Sequence, residues 1–400
     1  MTALPKARTA WRSFRQVENP NVAVPGTNGA ERRGRRNGYA AMLATASLLL
    51  GGSATAAPLF TMAEVLAPVN GSEVRGRGIN NSGQVSGTMG YNFGTFTSNR
   101  AFIWNGSGSA LDLGTLGSNT INHARSDGYT INNSGQVAGW SQTSGSGEQS
   151  FRYSGGVMSS IDTASSSSNA YDINNLGQVT GVRNNHAYFY NGSMLQLGTL
   201  TGGTVSLGTG INDNGTIVGW GNVTGGTQHA FVYSSGVMTD IGMLPGASNS
   251  SAAAINNAGL VVGTSTVSGT NHAFLYNGTT MTDLGVGTAM DINASGQVVI
   301  GAGAGGSATL YDGGTAYDLN TLIAPFDPLF GSVVLRGANG INDLGQIVVT
   351  TNALGAPGGG VRTFVLTPVD VPEPASVMLL GCGVAGLVCA RRKRNRPLSS

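Results

Sequence analysis

Seven copies of an Ile-Asn-x-x-Gly hairpin, a second hairpin between successive copies, and no sustained helical period across residues 58–370 predict an all-β fold. The predicted architecture is a seven-bladed β-propeller of four-stranded antiparallel blades, closed by an N-terminal strand. The first hairpin reads INNSGQVSGT (79–88), INNSGQVAGW (131–140), INNLGQVTGV (173–182) and INDNGTIVGW (211–220). It continues as INNAGLVVGT (255–264), INASGQVVIG (292–301) and INDLGQIVVT (341–350). Successive copies lie 52, 42, 38, 44, 37 and 49 residues apart.

Each motif has a local cause. In Ile-Asn-x-x-Gly followed by Val-x-Gly, two short strands flank a tight turn, because Asn and Asp tolerate left-handed backbone angles and Gly allows positive φ. The second hairpin is clearest in HAFLYNGTTMTDLG (272–285), where alternating apolar residues mark half-buried strands around a turn at Asn277-Gly278. Its first strand recurs as RAFIW, QSFRY, HAYFY, HAFVY, SATLY and RTFVL, and its second as ALDLG, MLQLG, MTDIG, AYDLN and a weaker MSSID. Each unit therefore supplies four short antiparallel strands. The seventh repeat has no fourth strand after RTFVL, whereas LFTMAEVLAP (59–68) carries Met62-Ala63-Glu64-Val65 where another repeat has Met281-Thr282-Asp283-Leu284. The N-terminal strand is thus expected to complete the last blade and leave no open sheet edge.

The body is set between two ends of different composition. Charged residues are 10% of the chain, against about a quarter in ordinary soluble domains, and Gly accounts for 64 of 400 residues. The net charge of +2 conceals an asymmetry: residues 1–57 hold eight Lys+Arg and two Asp+Glu, and 371–400 hold five and one. Residues 58–370 keep eight basic and sixteen acidic residues and no Lys. An acidic body repels phosphate backbones, so nucleic acid is not an expected partner.

Residues 1–56 read as an N-terminal extension and signal peptide, with a basic Arg32–Arg36 region, an apolar core at Ala40–Leu50 and an Ala54-Thr55-Ala56 cleavage pattern for signal peptidase. Residues 57–370 are the repeat body. Residues 371–400 place Pro372-Glu373-Pro374 before an apolar stretch, Ala375–Ala390, and a membrane-stop cluster of Arg391, Arg392, Lys393 and Arg394. The apolar stretch is expected to form a C-terminal transmembrane sorting helix; its sixteen residues give ~24 Å, somewhat short for a ~30 Å hydrocarbon core, and the prolines keep the preceding segment extended and accessible. Cys382 and Cys389 both lie in this stretch, ~10 Å apart on one helix and too far for a disulfide. The body has no cysteine and so no thiol nucleophile or thiolate metal site.

Candidate chemistry in the body is sparse. His186, His229 and His272 hold one repeated position, which points to repeated structural work, and His123 belongs to no motif. Asp213 and Asp343 each stand alone in a turn, too little charge for a calcium cage, so the turns are read as Asn side chains bonding backbone. Asp112, Asp240, Asp283 and Asp318 occupy equivalent positions on different blades and are expected to face solvent rather than form a catalytic pair. Trp140, Trp220, Tyr129 and Tyr171 read equally as core residues or as a sugar platform. No catalytic residue, cofactor or metal site is assigned.

The repeat units resemble the HAF-type extracellular repeats of bacterial surface proteins, through His-Ala-Phe at 229–231 and 272–274 and the Ile-Asn-x-x-Gly copies. The C-terminal tripartite arrangement resembles the PEP-CTERM sorting signal, with Pro372, Glu373 and Pro374 matching its motif. That resemblance implies handling by a membrane-embedded exosortase through a transiently inserted, inner-membrane-tethered intermediate, and release to the cell surface or an exopolysaccharide matrix. The leading expectation is a non-enzymatic, exported structural or interaction protein with exopolysaccharide as partner. A glycan-binding, lectin-like propeller is the alternative, and a polysaccharide hydrolase or lyase would need an asymmetric acid–base set that no motif supplies.

Overall fold

The computed structural model describes residues 57–369, apart from 69–70, 93–96, 118–123, 145–146, 163–166, 302–305 and 353–360. The predicted signal peptide with Ala54 and Ala56, His123, Pro372, Glu373, Pro374, the apolar stretch 375–390, both cysteines and the basic cluster 391–394 lie outside the described residues. Among the described residues no helix is long and apolar enough to cross a membrane.

Seven four-stranded antiparallel sheets follow one another along the chain. Blades 1 to 6 span 71–112, 126–160, 168–196, 206–242, 247–286 and 288–318. Blade 7 takes three strands from 337–369 and its outermost strand, Leu59–Glu64, from the other end of the chain. That strand pairs Met62 with Leu366 and Glu64 with Phe364, matching Met281 with Tyr276 and Asp283 with Phe274 in blade 5. Ring closure by the N-terminal strand is therefore found in the predicted register. Glu64 accepts from Arg362 Nε at 2.6 Å across the seam, and Leu66 accepts from the Ala110 amide of blade 1.

The core lies between blades rather than within them. Ala101 and Ile103 of blade 1 pack on Ile131, Val137 and Phe151 of blade 2, and comparable clusters fill the other junctions. The Gly of Val-x-Gly is required by this packing: a Cβ on Gly139 would lie 1.9 Å from the Asp127 carbonyl oxygen and 2.9 Å from the Phe151 ring. In blade 6 the corresponding cross-strand pair is Ile300–Thr309 instead of Gly–Phe, so the bulk has moved to the opposite strand. Residues 319–336 form an insertion between blades 6 and 7 that the repeat pattern does not foretell. It starts in a short 3-10 helix, Leu319–Thr321, and buries Leu322, Ile323 and Leu335 against Phe60.

The asparagine after each Ile does more than shape its turn. Asn132, only 4% exposed, accepts from the Ser134 and Gln136 amides through Oδ1. Its Nδ2 donates to Gln136 Oε1 and to the Asn174 carbonyl of the next blade. All four hydrogen-bonding capacities of the buried amide are used. The inter-blade bond recurs from Asn80 through Asn132, Asn174, Asn212, Asn256 and Asn293 to Asn342, which donates back to Asn80, at 2.9–3.1 Å throughout. Seven bonds thus form a closed cycle. The Gly three residues on sits at positive φ, +73° at Gly135, which completes the three-residue turn.

A second, exposed tier lies beside it. The amides of Asn81, Asn133, Asn175 and Asp213 each donate to the side chain of the equivalent residue one blade on, as do those of Ala294 and Asp343. The tier is interrupted where Ala294 offers no side-chain acceptor. Away from the turns, buried serines tie further junctions: Ser126 accepts from the Ala101 amide and donates to the Gly114 carbonyl, and Ser250 does the same with Ala230 and Gly242. The Ala of the His-Ala-Phe strand and the terminal Gly of Asp-Leu-Gly are thus inter-blade contact points.

Two stability measurements check this account. Asn132→Asp preserves the turn-capping oxygen but removes the donor, turning an anionic oxygen toward the Asn174 carbonyl. It is expected to lower the unfolding free energy by about 2–4 kcal/mol in chemical denaturation, since it strands a buried polar pair. A turn-only role would leave the stability near that of the parent. Phe60→Ala should cost about 3–5 kcal/mol, like a mid-blade Phe151→Ala, because the N-terminal strand is an integral part of the ring.

Candidate functional site

Every inner strand carries a β-bulge at the same place, seen as a register shift between Gly76 and Gly78 in blade 1, Gly128 and Thr130 in blade 2, and Ala170 and Asp172 in blade 3. The shift repeats in blades 4 to 7. A bulge adds one unpaired residue and re-aims its side chain. The added residues are Arg77, Tyr129 and Tyr171 on blades 1 to 3, Thr209, Ala253 and Met290 on blades 4 to 6, and Asn339 on blade 7. All seven line one axial cavity of about 520 Å³. A backbone feature repeated seven times therefore converges seven different side chains on a single space.

The cavity wall is lopsided. Blades 1 to 3 present an arc in which the Arg77 guanidinium lies 4.4 Å over the Tyr129 ring, whose centroid is 5.1 Å from that of Tyr171 at an edge-on 62°. Burial raises the Tyr129 hydroxyl above its ordinary pKa, and the nearby Asp127 carboxylate adds to the effect. The facing wall is small: Ala252, Ala253 and Ser251. Thr209 donates to the Ala252 carbonyl and Asn339 to the Gly76 carbonyl, so these two polar groups are used in holding the wall together.

Beside Arg77 opens a polar recess of about 170 Å³ lined by Glu73, Arg75, Arg77, Thr88, Asn99 and Asp127. Arg77 Nη2 pairs with Asp127 Oδ2 at 3.3 Å. Burial pushes the Asp127 carboxyl upward, opposed first by Arg77 and then by Arg75.

The turn end of the axis is acidic. A space of about 190 Å³ there is bordered by Asp172 and Asp291 from the inner strands and by Asp213 and Asp343 from the turns. Asp172 accepts from Thr130 Oγ1, the Ile173 amide and the Ile211 amide of the next blade. Asp291 accepts from the Ile292 amide and the Ile341 amide of the next blade. Burial lifts Asp172 from the ordinary 3.8 to about 6, against those hydrogen bonds, and lifts Asp291 to about 7. Both carboxylates bridge blades. Among the described residues no group of three or more His, Cys, Asp or Glu could hold a metal ion.

The residues singled out by sequence fall mostly outside this axis. His229 and His272 bond to Asp240 at 2.7 Å and Asp283 at 2.9 Å, while His186 meets the Asn184 carbonyl. Asp112, Asp240, Asp283 and Asp318 each accept the backbone amide two residues on, which makes them turn caps. Asp213 and Asp343 belong to the exposed inter-blade tier. Trp140 and Trp220 are half-buried on second strands, opposite Asp127 and Leu207. Only Tyr129 and Tyr171 reach the cavity. Arg77, Asp127, Asp172 and Asp291 were not among the sequence candidates. A signal existed: with the repeats aligned on Ile-Asn, the column two residues before Ile holds Arg, Tyr, Tyr, Thr, Ala, Met and Asn.

Fold and site together define an all-β, seven-bladed propeller with one asymmetric axial cavity. Residues 370–393 match the family model of the PEP-CTERM protein-sorting motif, so the chain carries that motif. Comparison with curated proteins finds no match. Among solved structures, the extracellular domain of a hybrid two-component system from B. thetaiotaomicron is similar at 13% identity and a TM-score of 0.48, over 79% of this chain and 40% of that one. This chain thus spans about two fifths of that domain's length. YCF48 from Cyanidioschyzon merolae is similar at 10% identity and a TM-score of 0.47, over 77% and 98% of the two chains. The six-bladed Aleuria aurantia lectin, described with a fucose recognition mode, is similar at 12% identity and a TM-score of 0.30, over 79% and 98%. Identities this low carry no ligand or activity across.

The buried carboxylates predict a pH dependence. Raised pKa values mean that folding takes up protons at Asp172 and Asp291, so their effect is to lower stability as pH rises from about 4 through 6 and 7. Asp213 acts oppositely at lower pH: despite its partial burial, hydrogen bonds from Asn175 and Asn257 hold it below the ordinary value, and its contribution is lost on acidification. Melting temperature should therefore fall between about pH 4.5 and 7.5, and Asp291→Asn should flatten that slope, whatever it does to absolute stability. An unchanged slope in the variant would contradict the assignment.

Proposed function

We propose that the protein is an exosortase-sorted surface or exopolysaccharide-matrix protein whose propeller acts as a non-enzymatic interaction module, holding its partner at the axial cavity. The repeat units are read as HAF-type extracellular repeats. The PEP-CTERM motif at 370–393 implies exosortase processing and export through a membrane-anchored intermediate. The observation that carries the binding role is the column of bulge residues. Positions with one backbone geometry hold Arg77, Tyr129, Tyr171 and Met290 around a single cavity, although ring closure itself is served by repeated Asn and Ser contacts. A symmetric scaffold with one asymmetric site is how a fold hosts a particular partner. The non-enzymatic reading is supported by the use of Asp172 and Asp291 as inter-blade hydrogen-bond acceptors rather than as a free acid–base pair.

The test uses the native host. The processed protein should lack its C-terminal segment, co-purify with matrix polysaccharide and leave that polysaccharide undegraded. Changing Pro372 and Glu373 to Ala should trap the unprocessed chain in the membrane fraction. Correct processing without co-purifying polysaccharide would refute the matrix role, and turnover would refute the non-enzymatic one.

A further inference from the structure

We propose that the end of the axial cavity beside Arg77 binds one neutral, polyhydroxylated ring, the terminal sugar of a polysaccharide, with its hydroxyls in the recess at Asp127. The inference rests on the reading of the propeller as a binding module and names the chemistry of what it holds.

Three polar atoms around the recess make no hydrogen bond within the protein: Arg77 Nε, Asp127 Oδ1 and Thr88 Oγ1. Asp127 is 9% exposed and Thr88 5%. Buried polar groups are nearly always paired, so three unpaired ones around a single recess call for an explanation, and a bound ligand supplies one. The set contains a donor that cannot accept, an acceptor that cannot donate and a hydroxyl that does both. A ligand that satisfies all three must donate and accept from neighbouring atoms, which vicinal hydroxyls do.

Charge narrows the class. Arg75 and Arg77 are matched in the recess by Glu73 and Asp127, and Glu73 is already engaged by Arg75 at 2.9 Å. A carboxylated or sulfated sugar would bring its charge against Asp127, and a cationic one against Arg77, so the neutral ring is favoured. Arg77 and Arg75 line both the recess and the axial cavity, so the two spaces lie against each other on either side of these side chains. Tyr129 has the Arg77 guanidinium over its ring, so Tyr171, edge-on to it, is the aromatic surface left to meet the C–H face of a sugar. The small Ala252–Ala253 wall leaves the opposite side open for the next residue of a chain.

The site occurs once. The position of Asp127, four residues before Ile, is Arg75, Asn169, Leu207, Ser251, Thr288 and Gly337 in the other blades. No other blade repeats the acid, and stoichiometry is therefore one ligand per chain rather than one per blade.

The experiment is titration calorimetry on the full chain in detergent, with neutral hexoses, N-acetylglucosamine and glucuronate as probes. The expected result is one equivalent of a neutral sugar bound and glucuronate bound more weakly. Asp127→Asn and, independently, Tyr171→Ala should each weaken binding roughly tenfold with melting temperature kept, while His272→Ala leaves it unchanged. Preference for glucuronate, several equivalents per chain, or indifference to both variants would overturn the proposal. If matrix polysaccharide still co-purifies with the Asp127→Asn protein, the binding module stands and only this site falls. If no polysaccharide associates with the parent protein either, both readings fall.

Discussion

The cycle of asparagine amides is the contact on which the ring depends. A propeller blade is a small sheet that cannot bury both faces alone, so its stability comes from its neighbours. Hydrophobic packing between blades supplies area but little direction. The Nδ2 of each Ile-Asn asparagine supplies direction, because one rigid amide both completes its own turn and donates to the next blade's backbone. Blade spacing at the turn end is thereby fixed by a hydrogen-bond length repeated seven times. Aspartate, its equal as a turn residue, cannot take this place, since it has no donor. The chain follows that rule: the residue after Ile is Asn in all seven copies, while the residue after that varies among Asn, Asp and Ala.

This division explains what was legible in the sequence. The period of the Ile-Asn motif, the alternating strands and the turn residues are local features, and they gave blade number, strand number and the seam at Met62-Ala63-Glu64 in the observed register. What the asparagine does toward the next blade is a contact between residues about forty apart and leaves no local trace. The insertion at 319–336 was opaque for a related reason: its apolar residues are buried against Phe60 from the far end of the chain. Asp172 and Asp291 sat in plain view as the residue before Ile-Asn, but only the bulge turns that position toward the axis, and bulges are not written in composition. Tyr129 and Tyr171 were visible as aromatics, yet their company, Arg77 and Asp127, comes from another blade and from two residues earlier on the same strand.

The bulge separates two jobs along each inner strand. Toward the turns, the residues are tied: Ile to the core, Asn to the cycle, and Asp172 and Asp291 to the neighbouring Ile amides. At the bulge itself the side chain is released from the ladder and turned toward the axis, where Thr209 and Asn339 bond the neighbouring blade and Arg77, Tyr129 and Tyr171 meet one another. Chemically unlike residues coexist at these equivalent places. The axis consequently has a polarity, with carboxylates toward the turns and guanidinium groups beside Tyr129. An anion meets repulsion at the turn end, whereas the arginines at the other end are balanced by Glu73 and Asp127.

Closure without covalent links fits the composition of the body. Residues 58–370 hold neither cysteine nor lysine, so an exported ring of this kind has no disulfide to tie its ends. The first strand takes that role by pairing along its whole length with the last, setting Phe60 in the core and giving Glu64 to Arg362. Opening the ring would break a sheet edge, a buried aromatic contact and the asparagine cycle together, because Asn342 donates to Asn80 across the same junction. Cooperativity of that sort needs every blade to keep its linking residues, and it tolerates change everywhere else. Blade 6 shows the limit: it has lost the Gly–Phe pair for Ile300–Thr309 and the second-tier acceptor at Ala294, yet it retains Asn293 in the cycle at 3.0 Å from Asn256 and 3.1 Å toward Asn342.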